Sequence, residues 1–278
     1  MILFLLPEAD YDPTEAALPW AALSGAGFDV CFATPDGRPA YADPRLTDIG
    51  FSWLSPWLMT RREPLATYRW MTGDPRFLAP LRYTDIDPES VEGLFIPGGH
   101  ADGMRSMLEN ANAQYVAARS MVRGVPVGAV CHGVLLLARA RDPRTGRSVL
   151  HGRRTTALTT LLELTAWQLT RMWLGRYYRT YAETVQTEVT SALADPADFR
   201  AGPVLPLRDN ARSMRHGFTV QDANYLSARW PGDCHRMAQQ FLEMVRAHDA
   251  FTAQAPVLDD KAVKQAPRLD GIPDWPAC

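Results

Sequence analysis

The chain has 278 residues, of which 46% are hydrophobic and 22% charged, and its formal net charge is −2 at pH 7. This length fits one large domain or two small ones, and the near-neutral charge leaves no basic excess to neutralise phosphates. We therefore expect no nucleic-acid partner. Because no apolar run reaches the roughly 18–20 residues of a membrane-spanning helix, we expect no membrane partner either.

The first residues, MILFLLPEAD, contain a short apolar run that acids follow at once and no basic residue precedes. This pattern favours a buried first strand over a secretory signal. The four cysteines, at Cys31, Cys131, Cys234 and Cys278, form no CxxC pair. In a chain of this size they indicate reduced thiols and a cytoplasmic location.

Short apolar runs that stop at proline, glycine or aspartate predict core strands at residues 2–6, 28–34, 93–99 and 125–130. Between them, helical patterns occupy much of the chain. Strands and helices that alternate with short links predict an α/β fold, in which helices cover both faces of a parallel sheet. Ligands of such sheets bind at the carboxyl ends of the strands.

Three segments predict the helices of this alternation. The first follows the first strand, with Asp12 or Thr14 as its N-cap and the Gly25–Gly27 region as its end. The second covers residues 110–124 and ends at a glycine, and the third begins with GVLLLARAR at 133–141.

Residues 35–92 do not follow this alternation, because they are rich in aromatic residues and proline. We interpret them as an insertion between the second and third strands that packs over the sheet as a lid; the alternative is that their aromatic residues form a small core of their own. Residues 155–194 predict a long helical stretch, and residues 217–233 a β-hairpin. Pro231 then opens the last helix, and residues from 252 onward predict an extended tail.

Cysteine, histidine and glycine stand side by side in VPVGAVCHGVLLLA (125–138), between a predicted strand and a predicted helix. A sharp strand-to-helix turn of this kind is a nucleophile elbow, which presents its side chain at the carboxyl edge of the sheet. The N-terminal end of the following helix is expected to lower the pKa of the thiol. We therefore expect Cys131 to be reactive; the alternative is a small buried hydrophobic residue.

Together, AVCHG after a strand, FIPGGHADGM upstream of it and TEAALPW after the first strand resemble the DJ-1/PfpI superfamily. The adjacent Cys-His pair and FATPDGRPAYADPRLTD are similar to its Hsp31-like branch, also described as ThiJ/PfpI or class I glutamine amidotransferase-like. The resemblance covers residues 1–163 well and residues 217–246 in outline.

This resemblance implies a flavodoxin-like three-layer sandwich with a mainly parallel central sheet. It implies one domain over residues 1–251, with an insert at 35–92, a helical insertion at 155–194 after the nucleophile helix, and a tail at 252–278. It also implies a homodimer.

The resemblance further assigns catalytic residues. The family's nucleophile falls on Cys131 and the neighbouring histidine on His132. The acid that contacts the cysteine falls on Glu15, four residues before Pro19 as the family pattern requires. A third member of the triad falls on Glu163, whose surroundings depart from the family pattern, so that an ordinary helix-surface acid is the alternative.

Pocket residues follow from the same resemblance. The backbone N–H groups of Gly98 and Gly99 are expected to form an oxyanion site with that of the residue after the cysteine. His100 is expected to line the pocket, although a solvated loop histidine is equally consistent. Arg229 is expected to bind an anionic substrate group bidentately. A local ion pair between Arg229 and Asp233 is the alternative, and the spacing slightly favours it.

No histidine lies within residues 35–92, where some Hsp31-like proteins bind zinc, so we expect no metal; we also expect no cofactor. The downstream H-x-E pair of glutamine amidotransferases is also missing, and we expect no glutaminase activity. Two classes of function remain. One is a cysteine-dependent lyase or hydrolase that adds water to a small electrophile, a glyoxal-type aldehyde or an isonitrile, through an adduct on Cys131. The other is a non-enzymatic redox sensor or holdase chaperone, and His132 with the candidate third acid favours the enzyme.

Overall fold

The computed structural model describes residues 1–254. Within them the chain forms a large sheet and a small two-stranded one. The strands are β1 (Ile2–Leu5), β2 (Ala9–Tyr11), β3 (Val30–Thr34), β4 (Tyr41–Ala42), β5 (Leu81–Arg82), β6 (Gly93–Ile96), β7 (Val127–Val130), β8 (Thr219–Asp222) and β9 (Tyr225–Ala228).

The large sheet has seven strands in the order β5-β3-β1-β6-β7-β9-β8. Every neighbouring pair is parallel except β8 and β9, which form an antiparallel hairpin at one edge. The predicted mainly parallel α/β sandwich is therefore confirmed. The strands β2 and β4 form the separate small sheet and also run parallel.

Helices surround the sheet and fill the predicted insertions. They are α1 (Pro13–Gly25), α2 (Ser55–Leu58), α3 (Arg62–Met71), α4 (Pro75–Leu78), α5 (Arg105–Leu108), α6 (Ala111–Arg123), α7 (Gly133–Arg139), α8 (Thr160–Leu174), α9 (Val185–Ala192) and α10 (Cys234–Gln254).

Helix α1 begins where the sequence predicts, and the structure selects Asp12 as its N-cap. The Asp12 carboxylate accepts hydrogen bonds from the N–H groups of Thr14 at 2.7 Å and Glu15 at 3.3 Å. These contacts satisfy N–H groups that have no partner within the helix, and Pro13 supplies a preset φ at its first position. The cap fixes the first turn of α1, which carries Glu15, against the carboxyl edge of the sheet.

The core is built on strands that are buried on both faces. Every residue of β1, β6, β7 and β9 is buried, which explains why these segments read as unbroken apolar runs. Phe95 joins the layers, since its ring packs on Phe4 at 5.0 Å and on Phe241 of α10 at 5.2 Å. Burying each such ring stabilises the fold by about 1.5–3 kcal/mol.

Residues 35–92 add strand β5 to the edge of the large sheet and cover α1 with helix α3. Trp70 of α3 packs edge-on against Trp20 at 4.6 Å between ring centroids. A small separate cluster forms around Phe51 and Leu54, but it includes Tyr178 from a distant part of the chain. This part of the insert therefore does not form its core alone.

The predicted helical stretch at 155–194 is interrupted, so it forms two helices instead of one. Helix α8 ends at Leu174, and Gly175 follows with φ +59°, a left-handed conformation that favours glycine. Helix α9 begins only at Val185. The intervening loop, residues 176–184, folds back towards the carboxyl edge of the sheet.

The predicted hairpin at 217–233 is confirmed by β8 and β9, and Pro231 opens a short turn that leads into α10. Helix α10 runs to Gln254, beyond the predicted start of the tail at 252. The remainder of that tail lies outside the described residues. Among residues 1–254, no helix combines the length and the apolar character that crossing a bilayer requires.

His235 at the start of α10 connects three parts of the molecule. Its Nδ1 lies 3.1 Å from Asp209 Oδ1, and its Nε2 lies 3.2 Å from Glu63 Oε1 of α3. Partial burial opposes the charged imidazolium, but the two carboxylates outweigh this effect and raise the pKa of His235 above 6.5. The resulting stabilisation is complete below the ordinary histidine pKa and disappears as the pH rises through the raised pKa.

We expect His235→Gln to lower the free energy of unfolding by about 0.5–1 kcal/mol more at about pH 6 than at about pH 9. Urea denaturation of both proteins at each pH measures this difference. An equal loss at the two pH values would show that the imidazole acts only through packing.

Candidate active site

Cys131 occupies the sharp turn between β7 and α7, at the carboxyl edge of the sheet. Its φ is +57°, an unfavourable conformation for a residue with a side chain, and its N–H donates to the carbonyl of Ala228 at 3.1 Å. At Gly133 a Cβ would lie 2.5 Å from the carbonyl oxygen of Ile96, which explains the glycine after the Cys-His pair. The turn therefore packs directly against the end of β6.

Glu15, in the first turn of α1, faces this turn. Its Oε2 accepts a hydrogen bond from the N–H of Gly98 at 2.7 Å. Its Oε1 is buried and has no hydrogen-bond partner within residues 1–254. Glu15 lies close enough to Cys131 that each group affects the pKa of the other. The predicted pair of Glu15 and Cys131 is thus brought together.

One of the expected oxyanion donors is already occupied. Because Gly98 donates its N–H to Glu15, that group is not free for a substrate, and its predicted role is corrected. A Cβ at Gly98 would lie 2.7 Å from that of Cys131, so the glycine instead permits close packing. The N–H of His132 points at the Cys131 sulfur. Gly99 and His132 remain as the candidate donors.

The hydrogen bonds of His132 assign its tautomer. Thr180 Oγ1 donates its single proton to the carbonyl oxygen of His100 at 2.6 Å. The same oxygen, 3.3 Å from His132 Nε2, can then only accept, so Nε2 carries the ring proton. The unprotonated Nδ1 lies 3.6 Å from Cys131 Sγ. This arrangement directs a basic nitrogen at the thiol.

The structure does not bring Glu163 into contact with His132. Its Oε1 pairs with Arg179 at 3.0 Å, and its Oε2 accepts from the N–H of Val185 at 2.9 Å. The residue that orients the imidazole is Thr180, which the sequence analysis missed. Glu163 is nevertheless not the surface acid of the alternative interpretation. Its side chain is buried, and it binds Arg179, directly before Thr180 in the loop, and Val185, where helix α9 begins.

Burial opposes a charge on each of the three central groups. Desolvation, followed by the nearby carboxyl of Glu15, raises the pKa of Cys131 well above its ordinary value. Desolvation also raises the pKa of Glu15, with Asp12 as the next cause, and lowers that of His132. The expectation that the helix end lowers the thiol pKa is therefore wrong, because the loss of water outweighs the dipole.

His100 lies between this group and an adjacent cavity. Its ring packs edge-on against His132 at 5.0 Å, and desolvation lowers its pKa to about 4. Its buried Nε2 has no hydrogen-bond partner within residues 1–254. One ligand atom each from His100, Cys131 and His132 lies within 4.8 Å of the others. Ligands of a tetrahedral zinc stand about 3.3–3.8 Å apart, so these residues could hold an ion only after moving together, and the ion would block the thiol.

A cavity of about 210 Å³ opens beside His100. The segment 46–60, helix α8 and the chain around residues 206–231 form its walls. The lining is mostly apolar and comprises Asp12, Thr14, Leu46, Phe51, Trp57, Leu58, Met59, Thr60, His100, Leu158, Leu162, Thr165, Ala166, Leu169, Thr170, Tyr178, Pro206, Arg208, Trp230 and Pro231.

Arg229 does not line this cavity. The local ion pair with Asp233, which the spacing slightly favoured, is the arrangement that forms, so the alternative role in binding substrate is corrected. The Arg229 guanidinium forms a bidentate pair with Asp233, with both distances 2.9 Å, and also donates to the carbonyl of Pro203. The arginine that does line the cavity is Arg208, whose guanidinium lies over the ring of Trp230 at 4.6 Å. No motif in the sequence distinguishes Arg208 from other arginines.

The chain is similar in sequence to a known family and to proteins of known activity. Residues 6–203 match the family model described as ThiJ/PfpI family-like. A glutathione-independent glyoxalase of Schizosaccharomyces pombe is 36% identical over 150 residues, which are 52% of this chain and 58% of that protein. A deglycase of Thermococcus kodakarensis is 24% identical over 166 residues, 60% of this chain and 69% of that protein.

Glyoxalase III of Candida albicans has a similar structure, with a TM-score of 0.56 and 18% identity, covering 87% of this chain and 97% of that chain. At this identity the likeness shows the fold alone. The alignments span 53% of an uncharacterized S. pombe protein and 58% of the S. pombe glyoxalase. This chain thus spans little more than half the length of these two curated relatives.

The raised thiol pKa predicts the pH dependence of alkylation. We expect the rate at which iodoacetamide labels Cys131 to rise steadily up to about pH 9, because the thiolate forms only above the ordinary thiol pKa of about 8.5. Mass spectrometry of timed samples measures the rate. A plateau already reached below about pH 7 would show a thiolate at rest and contradict this electrostatic description.

The shared hydroxyl predicts different effects for two substitutions at Thr180. Thr180→Val should reduce the alkylation rate of Cys131 about ten-fold, because the imidazole is no longer oriented. This loss is smaller than the roughly 10²–10⁴-fold that a general base supplies, since the imidazole itself remains. Thr180→Ser should restore it, since serine keeps the hydroxyl. Alkylation rates at one pH compare the three proteins, and equal rates for Val and Ser variants would exclude the role of the hydroxyl.

Proposed function

The chain belongs to the ThiJ/PfpI-like family, and on that premise we propose that it is a cysteine-dependent enzyme that uses no cofactor. Its reaction converts a glyoxal-type aldehyde into a 2-hydroxy acid through a covalent adduct on Cys131. The observation that carries the proposal is the basic Nδ1 of His132, 3.6 Å from the Cys131 sulfur. The glyoxalase and the deglycase among the relatives support the same substrate chemistry.

The first step is addition of the thiol to the aldehyde. Cys131 Sγ bonds to the aldehyde carbon while its proton moves to His132 Nδ1, and the carbonyl electron pair goes to the oxygen. The backbone N–H groups of Gly99 and His132 are the candidate donors to this oxygen, which then takes the proton from His132 Nδ1 and gives a hemithioacetal, leaving Nδ1 free again.

The second step moves a proton between the two substrate carbons. His132 Nδ1 removes the proton from the carbon bonded to sulfur, and the neighbouring carbonyl carbon receives a proton through an enediol. The first carbon is oxidised by two electrons and the second is reduced by two, so no external oxidant is needed. The product of this step is the thioester of a 2-hydroxy acid.

The last step is hydrolysis. His132, neutral again after returning its proton to the substrate, takes a proton at Nδ1 from water as the water oxygen adds to the thioester carbon. The carbon–sulfur bond then breaks, and the sulfur receives this proton from His132. One water is consumed and the thiol is regenerated. The pair can repeat this cycle because His132 alternately accepts and returns a proton at Nδ1, while Thr180 keeps Nε2 protonated.

Glu15 has a supporting role in this scheme. Burial raises the pKa of Glu15, so its carboxyl is protonated and can donate a hydrogen bond to the sulfur as negative charge develops there. An ionised carboxylate at the same place would repel the thiolate. The proposal therefore requires Glu15 as an acid that stays neutral.

Purified protein without glutathione should convert glyoxal-type aldehydes to 2-hydroxy acids, detected as product by NMR. Cys131→Ala should abolish turnover, and His132→Ala should reduce it by roughly 10²–10⁴-fold because the proton transfers lose their base. Cys31→Ala is the matched control, since Cys31 lies on β3 and should leave turnover unchanged.

The alternatives are outcomes of the same experiment. Turnover of isonitriles but not aldehydes would replace the substrate class. Suppression of client-protein aggregation that survives in both Cys131→Ala and His132→Ala, with no turnover of any electrophile, would favour the holdase. The homodimer that the resemblance implies and the cytoplasmic location that the cysteines indicate stay predictions.

A further inference from the structure

We propose that the substrate of this site is a 2-oxoaldehyde with an apolar side chain of phenyl or branched-alkyl size, larger than methylglyoxal. The inference rests on the proposed function and names its substrate class. It follows from the position, the lining and the volume of the cavity beside His100.

The cavity and the nucleophile share His100. One face of this residue lines the cavity, and its ring lies 5.0 Å from that of His132. A His100 nitrogen and the Cys131 sulfur are within 4.8 Å of each other. Cys131 and His132 do not themselves line the cavity, so a carbonyl group that reaches the thiol lies past His100 while the rest of its molecule occupies the cavity.

The polar lining residues lie close to the nucleophile in the fold. Asp12 and Thr14 belong to the N-terminal end of α1, directly before Glu15, and His100 lies two residues after Gly98, which packs against Cys131. The hydroxyl of Thr14 and a protonated ring nitrogen of His100 can donate hydrogen bonds to the carbonyl oxygens of a 2-oxoaldehyde. The dicarbonyl end of the substrate is polar, as are its hydrates, and it therefore matches the polar end of the cavity.

The walls farther from the nucleophile are apolar. Phe51 and Met59 of the insert form one wall, and Leu162, Ala166 and Leu169 of α8 form the other. In any 2-oxoaldehyde the side chain takes no part in the bond changes. These apolar walls would not help a site to bind methylglyoxal alone. They stabilise a large apolar side chain because they remove it from water.

The volume sets the size of that side chain. A buried apolar cavity of about 150 Å³ accommodates benzene, and the cavity here measures about 210 Å³. A methyl group would leave most of this space unfilled. A phenyl ring or a branched four-carbon chain occupies most of the cavity and still leaves room for the dicarbonyl.

The experiment compares methylglyoxal with phenylglyoxal and 4-methyl-2-oxopentanal in short assays. Cys131→Ala protein serves as the blank, because phenylglyoxal also reacts with arginine. We expect kcat/KM to be at least about ten-fold higher for the two larger substrates, which is within the range that apolar pocket contacts provide.

A substitution that fills the cavity tests the location. Ala166→Leu should lower kcat/KM for phenylglyoxal by roughly ten-fold and leave that for methylglyoxal within about two-fold. Gln168→Leu places the same side chain on the same helix at an exposed position outside this cavity and should change neither. If Ala166→Leu fails to fold, calorimetry of Cys131→Ala protein with mandelate and lactate, the two product acids, gives the same comparison.

The outcomes separate the two proposals. If no 2-oxoaldehyde is converted by the unmodified protein, the proposed function fails, and this inference falls with it. If methylglyoxal is converted as efficiently as the larger substrates, or if Ala166→Leu lowers both activities equally, the function stands and the inference about the substrate is overturned. Equal binding of mandelate and lactate would overturn it as well.

Discussion

Cys131, His132 and Glu15 are buried together, and desolvation opposes a charge on each of them. It raises the pKa of the thiol and of the carboxyl and lowers the pKa of the imidazole. A thiol with a raised pKa cannot rely on a thiolate formed in advance. Its reactivity depends on transferring a proton at the moment of attack, and this requires the lone pair of His132 to be aimed at the sulfur.

That aim is set by the loop between α8 and α9. Thr180 of this loop accepts from His132 and donates to the backbone of His100, while Arg105 holds the Thr180 carbonyl through two hydrogen bonds. The loop is fixed at several other points, of which the tyrosine hydroxyls on Asp43 and the two contacts of Glu163 are the best defined. A buried acid thus supports the imidazole indirectly, through the segment that carries the threonine, where a direct contact was expected.

The same two insertions that fix the imidazole also build the cavity. Residues 46–60 and helix α8 face each other across it, and Tyr178 joins them, since its ring packs on Phe51 and on His100. The sheet supplies the nucleophile, its turn and the acid. The insertions supply the orientation of the base and the space for a substrate side chain, so that they bear on both the rate and the selectivity of the proposed reaction.

The sequence by itself determined the parallel sheet, the turn at Cys131, the start of the first helix and the hairpin, because apolar runs, capping residues and short links act over a few neighbouring residues. It left Asp12 and Thr14 as alternative N-caps, and its spacing favoured the local ion pair between Arg229 and Asp233 that the structure contains. It also placed Glu15 beside the cysteine through a family motif. Gly175 is a local sign that 155–194 is interrupted. The sequence could not identify Thr180 or Arg208, or show that the N–H of Gly98 is used. Those contacts join positions far apart in the chain, such as Thr180 and His132 or Glu15 and Gly98, and only the tertiary structure decides which distant polar groups satisfy one another. The protonation of the thiol was decided there too, since desolvation depends on everything packed around the turn.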